Sequence, residues 1–121
     1  MKRMLALLGV LAAGCSPPVP AAVAAQVSCV PETDALRQRC TVRLTDRRTG
    51  QPIGGATVTL HADMPSMPLA HSVPPVTAAP GGEPGTYDGT LRLEMTGRWV
   101  VAVRIAGPVT DQLTHALDVG P

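Results

Sequence analysis

The stretch RCTVRLTDRRTGQPIGGATVTLH, residues 39–61, decides how the chain folds. Within it Cys40, Val42 and Leu44 alternate with Thr41, Arg43 and Thr45, and further on Val58 and Leu60 alternate with Thr57, Thr59 and His61. A period of two puts one set of side chains on a buried face and the other in solvent, which is the pattern of half-buried strands. Between the two runs, Asp46-Arg47-Arg48-Thr49-Gly50-Gln51-Pro52 is turn chemistry, and Gly54-Gly55 leads into the second strand.

Working outward, Val27 to Val30 reads as a strand before this stretch. After it come a short strand around His71 to Thr77, then Thr86 to Glu94, Arg98 to Ile105 and Gln112 to Val119. Trp99, Val101, Val103 and Ile105 share one face, as do Leu113, Leu117 and Val119. Six to seven short strands separated by turn signals predict an all-β domain, an immunoglobulin-like two-sheet sandwich. Tyr87, which follows Pro84-Gly85-Thr86, reads either as a corner tyrosine tying a turn to the backbone or as a partly exposed strand residue.

Composition agrees with this class. Thirteen prolines and twelve glycines in 121 residues interrupt helices repeatedly, and no window beyond the first residues holds a sustained 3.6-residue apolar stripe. Apolar residues make up 45% of the chain, but there is no Phe, one Trp and one Tyr, so the core must be built from Val, Leu, Ile and Ala. Without Lys2 and Arg3, eight arginines face nine acidic residues, a balance near −1 with no basic cluster. That charge pattern argues against nucleic acid as a partner.

Residues 1–14 have the layout of a lipoprotein signal peptide: Lys2 and Arg3, then an apolar run from Leu5 to Ala13 too short to span a bilayer permanently. Leu11-Ala12-Ala13-Gly14-Cys15 resembles the bacterial lipobox, which makes Cys15 the lipidation site and anchors the chain to a membrane of the periplasm or cell envelope. Residues 15–25, rich in Pro and Ala, would be a tether and 26–121 the β-sandwich domain. The rival reading is ordinary cleavage after Ala24 or Ala25, where Ala22-Val23-Ala24 offers a small-x-small site. Assigning Cys15 to lipid leaves Cys29 and Cys40 as an even pair in an oxidising compartment, and a disulfide is the economical reading, with metal ligation as its rival.

Chemistry has one candidate locus. His61, Met64, Met67 and His71 fall within eleven residues, at the end of a strand and in a Pro-rich connection from Asp63 to Pro84. Thioethers are soft, neutral donors suited to Cu(I), and imidazole accepts copper in either oxidation state. Met64, Met67 and His71 form the candidate metal set, with His61 as a fourth donor. The competing reading makes Met64, Met67 and Leu69 packing residues at the open end of the sandwich. His115, in phase with Leu113 and Leu117, reads as a core histidine. No Ser-His-Asp order, carboxylate pair or phosphate loop stands in a recognisable context, so the chain is read as not an enzyme.

From Asp46 to Ile105 the sequence resembles the YtkA-like and FixH-like periplasmic domains. The residues that carry the resemblance are Asp46, Gly50, Pro52, Ile53, Gly55, Ala56 and Val58, then Met64, Pro65, Met67 and His71. Pro84, Gly85 and Tyr87 follow, and Met95, Gly97, Trp99 and Val101 complete the pattern. The resemblance implies an immunoglobulin-like sandwich associated with copper handling or cytochrome oxidase assembly. One departure is that members commonly place Gly-His soon after the second Met, where this chain has Pro68-Leu69-Ala70 before His71. The expectation is therefore a lipid-anchored copper-binding or copper-delivery domain. Its alternative is a non-metal interaction or accessory module of a membrane complex, such as an efflux system or oxidase assembly machinery.

Overall fold

The computed structural model describes residues 23–67 and 73–121; residues 1–22, with Cys15, and residues 68–72, with His71, lie outside the described residues. Seven antiparallel strands follow one another: β1 (Val23–Pro31), β2 (Arg37–Asp46), β3 (Thr57–Asp63), β4 (Val76–Pro80), β5 (Thr86–Arg92), β6 (Gly97–Ala106) and β7 (Asp111–Val119). Among the described residues no helix is long and apolar enough to cross a membrane.

The strands hydrogen-bond in the order β1-β2-β5-β4-β3-β6-β7. All-β architecture and the strand count agree with the sequence pattern, but the sheet is one continuous, nearly closed roll where two separate sheets were expected. The cause is β4. Its Val76, Thr77 and Ala78 pair with Leu60, Thr59 and Val58 of β3, while its Ala79 and Pro80 pair with Asp88 and Tyr87 of β5. Pro74 and Pro75 precede this five-residue strand and Pro80 ends it, so it cannot extend a full ladder to either neighbour. Gly89 keeps the junction close: a Cβ there would stand 2.9 Å from Leu60 Cδ1 and 3.5 Å from Ala78 Cα.

Alternation fills the interior. Cys40, Val42 and Leu44 of β2, Val58, Leu60 and Ala62 of β3, and Trp99, Val101, Val103 and Ile105 of β6 are all buried. With so few aromatic rings available, both that exist are placed centrally, Trp99 and Tyr87 being nearly inaccessible. Tyr87 acts as a tie: its Oη donates to the Ile53 carbonyl at 2.8 Å and accepts from the Ala56 amide at 3.1 Å, fixing the loop before β3. Cys29 and Cys40 stand directly opposite in the β1–β2 ladder and form a disulfide.

Because all neighbours are antiparallel, the roll has two distinct rims. The entry rim holds the start of β1 at Val23, the 46–52 turn and the loop at Gly85. The opposite rim holds Asp63, Gly97 and the connections that follow β3 and β5. β1 begins at Val23, within the stretch read from sequence as tether. Val23 is 3% exposed, pairs with Asp46, and its carbonyl accepts from Arg47 Nε at 3.1 Å.

Candidate functional site

The methionine segment sits at the rim opposite the entry of β1. The inward phase of β3 runs Val58, Leu60, Ala62 and continues one step past the strand to Met64, which is 4% exposed and belongs to the core. Ladder contacts end at Asp63 with Val100, so the next position, Met64, is level with the buried Trp99. A tight turn follows: the Met67 amide donates to the Met64 carbonyl at 3.0 Å. Pro65 in the second position suits that turn because its ring fixes φ near the value required. Met67 ends the turn 40% exposed. Beyond residues 68–72 the chain rejoins β3, where the Val73 amide donates to the Ala62 carbonyl at 3.4 Å.

His61 does not share this side. Even-numbered β3 residues face inward, so His61 and Asp63 face outward, where His61 Nδ1 lies 3.4 Å from Asp63 Oδ2. Proposed from sequence as a fourth donor, His61 is thus on the opposite face of the sheet from Met64. His71 lies outside the described residues. His115 is half-buried opposite Val101, in phase with Leu113 and Leu117, two strands away from Ala62.

Met95, which spacing did not single out as a donor, is at the same rim. It is partly buried against the core in the connection from β5 to β6. Trp99 Nε1 donates to its carbonyl at 3.0 Å. Two residues on, Gly97 adopts a φ of +133°, and a Cβ at that position would stand 3.0 Å from Met64 Cε. Glycine therefore serves two ends here, since it accepts this backbone conformation and leaves room for the Met64 methyl.

Among the described residues no group of three or more His, Cys, Asp or Glu side chains is placed to hold a metal ion. Met64, Met67 and Met95 carry thioether sulfur, a soft donor that suits Cu(I) better than hard or borderline ions.

Comparison with known proteins follows the same segments. A model of the YtkA-like family matches residues 21–104, which spans β1 through most of β6 and includes the methionine turn, Tyr87 and Trp99. The chain belongs to the YtkA-like family. No curated protein and no solved structure matches it. In this YtkA-like domain the match takes in both Met64 and Gly97, so the contact between them lies within the matched region.

Proposed function

We propose that this YtkA-like chain is a lipid-anchored, non-enzymatic domain of the cell envelope that binds or delivers copper as Cu(I). Met64 and Met67 are the donors, with His71 as their partner. The observation that carries the reading is the Met64-Pro65-Ser66-Met67 turn, which holds two thioethers within one turn of each other at a rim with no cluster of hard donors among the described residues. Neutral sulfur ligands bind a monovalent soft cation without adding charge to an apolar site. The rolled sheet then serves as an immunoglobulin-like scaffold whose halves, β1-β2-β5 and β3-β6-β7, join through β4. Titration of purified protein with Cu(I) against a chromogenic chelator tests the proposal. Binding should weaken at least tenfold in Met64→Leu plus Met67→Leu, a loss of about 1.4 kcal/mol or more. Affinity unchanged in that variant removes it.

Anchoring through Cys15 is supported by the position of Val23. Ordinary cleavage after Ala24 or Ala25 would remove a buried residue and the first pairs of the β1–β2 ladder. Processing at Cys15 keeps both. Intact mass of the exported protein distinguishes the two, because a mature chain starting at Ala25 or Gln26 would contradict the anchored reading.

A second reading, a docking module without metal, rests on a groove of about 290 Å³ lined by Val73, Pro74, Pro75, Val76, Thr90 and Arg92. Arg92 stands directly opposite Arg37 in the β2–β5 ladder, and with Glu32 3.9 Å from Arg37 the two arginines still bring net positive charge to this end of the groove, which an acidic partner would meet. A membrane complex that co-purifies with the protein after copper chelation, and is lost in Arg37→Glu plus Arg92→Glu, would favour it.

A further inference from the structure

We infer that Met95 is a third sulfur donor of the copper site, so that Met64, Met67 and Met95 form a three-thioether set at the Trp99 rim. The inference rests on the copper reading above and adds to it a ligand from a different strand connection.

The geometry joins two segments that are far apart in sequence. Met64 arrives from β3 and Met95 from the β5–β6 connection, which ends at Gly97. The Met64 methyl lies 3.0 Å from the point where a Gly97 Cβ would stand. Met95 is two residues from Gly97, so its Cα lies within about 7 Å of the Gly97 Cα by chain length alone. Its backbone is held there by the Trp99 indole at 3.0 Å. Met67 is tied to Met64 by the 3.0 Å turn hydrogen bond. A methionine side chain has three rotatable bonds, so sulfurs carried on backbones at these separations can turn to a common point.

Burial is graded across the three. Met64 is within the core, Met95 is half-buried, and Met67 stands in solvent. An ion captured by the exposed thioether would move inward to the other two, with Met67 still attached. Three neutral sulfurs also complete a low-coordinate cuprous site without an imidazole. The departure after Met67, where Pro68-Leu69-Ala70 intervenes before His71, then leaves the site with enough donors.

The test is anaerobic Cu(I) titration of wild type and Met95→Leu, combined with the sulfur count from X-ray absorption at the copper edge. Met95→Leu keeps volume and apolarity, so the fold should survive, which the urea midpoint checks. The expected result is a roughly tenfold weaker affinity and one sulfur fewer around copper. Unchanged affinity with an unchanged sulfur count, in a protein that binds Cu(I) through Met64 and Met67, overturns the Met95 assignment and leaves the copper reading intact. Wild type that binds no Cu(I) overturns both. Should Met95→Leu shift the urea midpoint, the methionine methyl resonances of wild type decide instead: those of Met64, Met67 and Met95 must move together on adding Cu(I). A Met95 signal that stays in place while the other two shift refutes the assignment.

Discussion

His61 and Met64 are three residues apart and face opposite sides of the sheet, His61 outward beside Asp63 and Met64 into the core. A cation held by Met64 cannot share the His61 imidazole without rotation of the strand. His61→Ala should therefore leave Cu(I) affinity within about twofold of wild type, whereas loss of both methionines lowers it at least tenfold. Competition titration of the two variants side by side gives the answer; a large loss in His61→Ala would mean the site lies on the outer face.

Tyr87 bridges the Ile53 carbonyl and the Ala56 amide from inside the core. Removing only its hydroxyl leaves both backbone groups without that partner in a partly buried loop. Tyr87→Phe should cost about 1–3 kcal/mol. Urea unfolding should show this as a lower midpoint with an unchanged slope.

Much of this was legible in the sequence because period-two alternation is a direct image of a half-buried strand. Cys40, Val42 and Leu44, or Trp99, Val101 and Val103, could be assigned to the interior on spacing alone, and each is buried. Other features left weaker traces. Val23, Ala24 and Ala25 form a strand through pairing with β2, yet their local composition reads as linker, since alanine has little strand preference. The double role of β4 depends on two non-local ladders. Met64 continues the inward phase of Leu60 and Ala62, but the proline that follows ends the alternation and gives the residue the local signature of a loop. Met95 is 28 residues from Met67 and reaches the same rim only through the β3–β6 register, which no local pattern reports.

The Cys29–Cys40 disulfide closes a short loop between adjacent strands, with a sequence separation of 11. On the chain-entropy model, Cys29→Ala plus Cys40→Ala should destabilise the domain by about 3 kcal/mol. For a domain of this size that is a drop of roughly 10–20 °C in Tm. Calorimetry of the double variant against the oxidised wild type measures it.

Gly85 has a φ of +76°, and a Cβ there would lie 2.7 Å from Pro52 Cβ and 2.8 Å from the Leu44 carbonyl oxygen. Neither neighbour is a flexible side-chain tip. Gly85→Ala should cost about 2 kcal/mol or more through backbone strain and displacement of the 46–52 turn. Gly82→Ala, where nothing stands within 4 Å of the added carbon, serves as the matched control and should change the urea midpoint little.

A chain starting at Gln26 would lose the Val23, Ala24 and Ala25 pairs and the burial of Val23. Compared with one starting upstream of Val23, it should be less stable by about 1.5–3 kcal/mol, from the apolar surface of that valine alone. Paired thermal melts of the two forms provide the comparison.

Among the described residues, β1 and β7 are the end strands of the roll, and each is nine residues long. Their free margins are the places where another chain's backbone could attach; the outward side chains Gln26, Ser28, Thr114 and Ala116 carry no charge, and Asp118 near the end of β7 does. The Cys29–Cys40 bond pins β1 to β2, so in the oxidised protein the inner margin of β2 stays covered. A reduced copy, whose first strand could swing out, would bare that margin and invite the edge-to-edge stacking into fibrils that the covalent staple forbids.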